Sequence, residues 1–248
     1  MDLFNIDSGE EIPLLLLHGF PFDHTIWNKM IRHMEKGIRI IAPDLRGHGC
    51  SKISSNKYLI SDIAVDIVEL LDRLQINKVM VAGHSFGGYV ALDLYRNFPD
   101  RLAGLALISS HVYPDSVEKK KSRFESIDKI NKLGAAGALA NMPNLLTLDP
   151  KVKHLCSKLI AKMDSLGAAG AQFAMAHRES SEELWKSMTI RQLVIAGSDD
   201  QLIPIETSRK ISDLSRNSSF IVIENAGHMP MLEAPNLVAE ALEKFILN

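Results

Sequence analysis

The sequence predicts an α/β protein: a mostly parallel sheet of about seven strands, flanked by helices and interrupted by one helical insertion. Three observations carry this. Short apolar runs recur without alternating with polar residues, the pattern of strands buried on both faces. Helical periods lie between them, so strand and helix repeat as right-handed crossover units. The repetition breaks once, between His111 and about Thr189, where no strand signal occurs. The expected division is a core of residues 1–111 and 189–248, with residues 112–188 as an inserted helical cap.

In chain order, one short strand fits before the Asp7-Ser8-Gly9 turn, and Leu14–Leu17 is the first core strand. The runs Ile38–Ala42, Val79–Ala82, Leu105–Ile108, Leu193–Ala196 and Phe220–Ile223 are the others. Ile63, Val65, Ile67, Val68, Leu70, Leu71 and Leu74 form one amphipathic helical face; Leu237, Val238, Ala241, Leu242 and Phe245 form another that closes the chain. In the insertion, helices are expected over Asp115–Lys132, Gly134–Leu146, Pro150–Ser165 and Gly167–Ala176. LGAAGA occurs there twice, at 133–138 and 166–171. Two copies are too few for a solenoid, so small residues allowing close helix packing are the preferred explanation.

Composition excludes several classes of function. With 248 residues, 46% hydrophobic and 23% charged, the chain can bury a core without staples. A net charge of −2 gives no sign of nucleic-acid binding. Cys50 and Cys156 form no CxxC pattern, so no metal site or redox pair is expected. The start, MDLFNIDSGEE, lacks the basic and apolar regions of a signal peptide, and Leu14–Leu17 is far too short to span a bilayer. The expectation is a reduced, cytoplasmic protein that acts away from membranes.

The chemistry begins at GHSFGG, residues 83–88. The Val79–Ala82 strand precedes it, and a helix from Gly87 follows. Ser85 therefore lies on a sharp strand-to-helix turn, and Gly83 and Gly87 complete G-x-S-x-G, where a tight turn demands small neighbours. The helix N-terminus favours negative charge at this point. A serine needs a base to act as a nucleophile. His84 is adjacent but points elsewhere on such a turn. His228, in NAGHMPMLEAP after the Phe220–Ile223 strand, lies at the same sheet edge. The carboxylate that fixes the imidazole tautomer comes from GSDDQLIP, which offers Asp199 and Asp200. Two N–H donors for an oxyanion are expected from Phe86, after the serine, and from Phe20, in HGFPFD.

Taken together, HGF with Trp27 following, PDLRGHGCS, GHSFGG, GSDDQLIP and GHMPMLEAP occur in an order that resembles the α/β-hydrolase superfamily over the whole chain. The order serine, aspartate, histidine matches it. The resemblance implies that the aspartate four residues before Pro204 is catalytic, hence Asp200. It also implies that the insertion is a lid, that no cofactor is needed, and that serine rather than aspartate as nucleophile argues against dehalogenase or epoxide hydrolase chemistry. Asp44, Arg46 and Ser51 are expected to tie loops together. The short start, with seven strands rather than eight, resembles compact members such as carrier-protein methyl esterases and enol-lactonases.

The expected activity is hydrolysis of a carboxylic ester, lactone or thioester through an acyl-enzyme. The same triad also serves lyase, C–C bond hydrolase or perhydrolase chemistry, and a slow-turnover ligand receptor is a further possibility. Phe22, Met229, Met142 and Phe173 are the expected pocket residues, implying an apolar acyl group. Between His111 and Ile190 twelve Lys and Arg face nine Asp and Glu. An ordinary solvated surface accounts for this balance; a sharper expectation is an acidic carrier protein docking on the insertion.

Overall fold

The computed structural model describes residues 1–9 and 11–247. Seven strands form one sheet: β1 (Asn5–Asp7), β2 (Ile12–Leu17), β3 (Ile38–Pro43), β4 (Val79–His84), β5 (Leu102–Ile108), β6 (Arg191–Gly197) and β7 (Ser218–Ile223). Their order is β1-β3-β2-β4-β5-β6-β7. β1 runs antiparallel to β3, and every other neighbour is parallel. All six apolar runs lie within strands, and the short first strand is present but takes in Asp7, which pairs with Ile41. β4 is buried along its whole length, whereas β7 is largely half-exposed because it is the sheet edge.

The helices are α1 (Asn28–Ile31), α2 (Ile60–Arg73), α3 (Phe86–Asn97), α4 (Val117–Ala138), α5 (Met142–Leu146), α6 (Pro150–Ile160), α7 (Ser165–Ala176), α8 (Glu182–Ser187), α9 (Ile205–Asp213), α10 (Pro230–Glu233) and α11 (Pro235–Leu247). α4 to α8 all fall between β5 and β6. Their bounds differ from expectation for local reasons. α6 stops at Ile160, and α7 begins at Ser165 because the Asp164 side chain accepts from the Gly167 N–H at 3.1 Å, an N-cap. α8, only six residues, is a helix beyond those expected, because it is too short to carry an apolar period. The two LGAAGA copies are used differently. In the first, Gly134 has φ 73° and kinks α4; in the second, Gly167 is helical and lies so close to Gly47 that a Cβ would meet its carbonyl oxygen at 1.8 Å. The Ala135 N–H donates to Ser165 Oγ at 3.0 Å, joining α4 to α7.

The chain turns from β2 outward to β3, then crosses back to β4. Strand order therefore reverses between β2 and β4, the place where parallel α/β sheets form a crevice at their C-terminal edge. The loops after β2, β4, β6 and β7 all open there. Among the described residues no helix is long and apolar enough to cross a membrane.

Candidate active site

Ser85 sits between β4 and α3 with φ 48° and ψ −110°. A non-glycine residue at positive φ costs on the order of 1–3 kcal/mol and persists only where the surroundings over-determine it. Here they do. The Ser85 N–H donates to the Ile108 carbonyl at 3.0 Å, while its own carbonyl accepts from the Gly88 N–H at 3.0 Å and from Ser110 Oγ at 2.8 Å. The two glycines are required by space. A Cβ on Gly83 would stand 2.4 Å from the Gly87 carbonyl oxygen, and one on Gly87 would stand 2.2 Å from that of Leu17.

His228 lies in the loop after β7 and is buried. Its Nδ1 is 2.9 Å from Asp200 Oδ2 and 3.1 Å from Oδ1. Asp200, also buried, accepts the Leu202 and Ile203 N–H groups on Oδ1 at 2.9 and 3.0 Å. Burial opposes charge on Asp200, but the facing imidazole and these two donors outweigh it and hold the carboxyl below its ordinary range. With an ionised acceptor at Nδ1, the proton of a neutral ring sits on Nδ1 and leaves Nε2 basic. Asp199 is exposed and bonds Ser198 instead, at 3.1 Å.

The His228 loop is held at three consecutive amides. The N–H groups of Gly227 and Met229 donate to Glu233 Oε2 at 2.9 and 3.2 Å, and that of His228 donates to the Leu146 carbonyl at 2.7 Å. Glu233 Oε1 also accepts from the Thr147 hydroxyl, so the helical insertion fastens this loop from above. His84, adjacent to the serine, donates from Nε2 to the His228 carbonyl at 2.8 Å. It is thus a positioning group, a role that its place in the motif does not reveal.

In the loop after β2, His18 Nε2 accepts the Leu45 N–H at 2.9 Å, so its Nδ1–H faces the Gly19 carbonyl at 3.1 Å. That carbonyl also accepts from the Phe22 N–H at 2.9 Å. In a trans peptide C=O and N–H point opposite ways, so the Phe20 N–H is turned away from His18. Phe86 opens α3 and has one of the helix's unpaired amides. The His48 ring packs against His18, Phe20 and Phe86, with centroids at 5.0, 6.1 and 5.8 Å. Asp44, Arg46 and Ser51 join neighbouring segments. Asp44 accepts from the His24 and Cys50 amides at 2.9 and 2.8 Å, Arg46 forks onto Asp66 at 2.7 and 2.8 Å, and Ser51 Oγ accepts the Phe4 N–H at 3.0 Å. Asp23, His24 and Asp44 also bring three ligand atoms within 4.8 Å of one another. These atoms already bond each other and nearby groups, with His24 Nδ1 2.6 Å from Asp44 Oδ1 and Asp23 capping Thr25.

The buried histidines give the site a dependence on acid. Burial lowers His18, takes His48 and His84 down to about 3, and takes His111 down to about 4. An unfolded ring takes its proton near 6.5, whereas the folded rings of His48, His84 and His111 do not until the pH is near 3 to 4. Their contribution to stability is therefore complete above 6.5 and is lost as pH falls from there toward 3. Each ring costs on the order of 1 kcal/mol per pH unit in that window. The melting temperature is expected to fall steeply between pH 6.5 and 4.5. A flat profile by calorimetry over that interval would show that these rings titrate normally.

Ser85 and His228 line one cavity of about 650 Å³, bounded below by Phe20 and Tyr89 and walled by residues of the insertion. Met142, Leu145 and Met175 reach it. Phe22, two residues beyond Phe20 and past Pro21, and Met229, directly after His228, do not: both side chains turn inward and are packed in the core. Phe173 lies outside the cavity wall and packs its ring on His177 at 4.1 Å. The wall instead carries Tyr89, His111, Lys119, Arg123, Lys129 and Arg178, a polar lining that the apolar expectation did not include.

A strained serine on a strand-to-helix turn, with an Asp–His pair at the same sheet edge, defines a hydrolase architecture. The family model described as alpha/beta hydrolase family matches residues 14–241, and the chain belongs to that family. A thermophilic esterase from Thermogutta terrifontis, in a malate-bound structure, is 32% identical with a TM-score of 0.95; the match covers 99% of this chain and 93% of that one. The 2-hydroxymuconate semialdehyde hydrolase of Pseudomonas sp. strain CF600 is 28% identical over 97% of this chain and 88% of its own length. The enol-lactonase from Burkholderia xenovorans LB400 shares the fold, with a TM-score of 0.90 at 21% identity, over 99% of this chain and 96% of that one.

Proposed function

We propose that the protein is a serine hydrolase that cleaves a carboxylic ester or lactone through an acyl-enzyme. The observation that carries this reading is the buried Asp200–His228 pair, which opens onto the same cavity as a serine held at positive φ. Ser85 Oγ attacks the carbonyl carbon while His228 Nε2 takes its proton. The Phe20 and Phe86 amides hold the developing oxyanion. The tetrahedral intermediate collapses, and imidazolium protonates the leaving alkoxide. Water then attacks the acyl-enzyme by the same route in reverse, releasing acid and free serine. Asp200 stays ionised throughout and stabilises the imidazolium. The helical insertion acts as the lid over the site. The 32% identity to an esterase supports ester chemistry, and the malate in that relative's structure points to small acids as ligands. C–C bond hydrolysis is a second reading, favoured by the likeness to the semialdehyde hydrolase.

A fluorophosphonate tests the assignment without knowledge of the substrate. One adduct per chain is expected, on the peptide containing Ser85, with simultaneous loss of ester turnover. Labelling of a different residue that abolishes turnover would move the nucleophile elsewhere.

A further inference from the structure

The cavity beside Ser85 is built for a negative charge. Its wall carries four cations, Lys119, Arg123, Lys129 and Arg178, against two carboxylates, Asp115 and Glu125. Asp115 is already committed to Arg178 at 2.8 Å and to Arg123 at 2.5 Å. Lys119 and Lys129 have no ion-pair partner among the described residues. They belong to one stripe that starts at the N-cap Ser116 and runs along α4 through Ser122, Arg123 and Ser126, whose spacing of three to four residues puts them on a single face toward the cavity. Surplus positive charge in a concave site focuses its field on a bound ligand.

Tyr89, one helical turn after Ser85, supplies a directed donor. The Tyr113 N–H donates to His111 Nδ1 at 3.2 Å, so that nitrogen holds the lone pair and Nε2 holds the proton. His111 stays neutral, since burial and the Arg178 charge take it down to about 4. Its Nε2–H therefore donates to Tyr89 Oη at 2.9 Å. The phenol's own proton then has no acceptor among the described residues, in a side chain that is only 8% exposed and lines the cavity. The Arg178 guanidinium, 4.1 Å from the ring centroid, fixes the ring face. A buried donor without an acceptor is costly unless a ligand completes it.

We propose that the substrate carries a carboxylate on its acyl portion, bonded by the Tyr89 hydroxyl and paired with Lys119, so that the enzyme acts on monoesters or lactones of small dicarboxylic acids. This rests on the ester-hydrolase reading above. His111 is a positioning residue that sets the direction of the Tyr89 proton. Among Lys119, Lys120 and Lys121, only Lys119 reaches the cavity.

The test compares monomethyl glutarate with methyl 5-methylhexanoate, its neutral isostere, by following acid release. Wild type is expected to show the higher kcat/KM on the glutarate monoester. In Tyr89→Phe the ratio between the two substrates falls about tenfold or more. In Lys119→Met it falls several-fold, and added salt erodes what remains. Lys120→Ala leaves the ratio where it was. Equal preference in wild type, or a ratio unmoved by Tyr89→Phe, overturns the carboxylate assignment. Glutarate binding to Ser85→Ala protein, measured by calorimetry, reads the same pocket without turnover. It is expected to weaken in the Tyr89→Phe and Lys119→Met backgrounds, and no binding, or binding indifferent to both changes, also overturns it. Failure of both esters to turn over, with glutarate still bound through Tyr89 and Lys119, would instead remove the ester-hydrolase reading and keep the anion site.

Discussion

Ser85→Ala is expected to fold like wild type and to lose turnover by about a thousandfold or more. The first part follows from where the turn's bonds lie. The three hydrogen bonds that hold residue 85 use its backbone N–H and carbonyl, and its side chain makes no capping bond to α3. Alanine keeps all of them at the same φ. The second part follows because the proposed mechanism has Ser85 as its nucleophile, opening onto the same cavity as His228. The two measurements belong together: thermal melting for the fold, and steady-state hydrolysis of a simple ester for the chemistry. An alanine variant that melts normally and hydrolyses at the wild-type rate would remove the serine from the mechanism.

The second large effect is at Asp200. Asparagine has the same shape, and its Oδ1 can keep the Leu202 and Ile203 amides at 2.9 and 3.0 Å. The NH2 group then replaces Oδ2, which lies 2.9 Å from His228 Nδ1. A donor there makes Nδ1 accept, so the ring proton moves to Nε2, and the nitrogen that must take the serine proton already carries one. The loss in kcat is expected to be about 10⁴-fold, as for the equivalent change in serine proteases, with KM little altered. Asp199→Asn, exposed and facing Ser198, is expected to change kcat less than about threefold. If the ranking were reversed, the orienting role would pass to Asp199.

Much of this architecture was legible in the chain, and the reasons are specific. The strands could be read because a parallel sheet covered on both faces needs unbroken apolar runs, as in Val79–Ala82. Ser85, His228 and the GSDDQLIP loop could be read because each must follow a strand at the same sheet edge. Choosing Asp200 over Asp199 needed the family resemblance, since either could cap a helix; in the structure burial and the Nδ1 contact separate them. The cavity wall was not legible. Phe22 lies two residues after Phe20 and Met229 directly after His228, but closeness in sequence does not fix which way a side chain turns, and both are packed in the core. The residues that do line the wall, Lys119, Arg123 and Lys129, lie on a helix whose orientation is set by packing of α4 on α7. The roles of His84, His111 and Glu233 depend on partners 144, 22 and 86 residues away in sequence. No local pattern announces such partners. Glu233 was inside a motif that could be quoted, but its bonds to the Gly227 and Met229 amides appear only once α10 folds back on the loop.

In the proposed mechanism the acid leaves only after an ester has formed on Ser85. Mixing the protein with an excess of an ester and quenching within the first turnovers, before intact-mass and peptide analysis, tests this most directly. A transient mass increase equal to the acyl group is expected, mapped to the peptide containing Ser85 and absent from Ser85→Ala. Full turnover in wild type with no acyl adduct at any quench time, even for an activated ester whose acylation outruns deacylation, would contradict it.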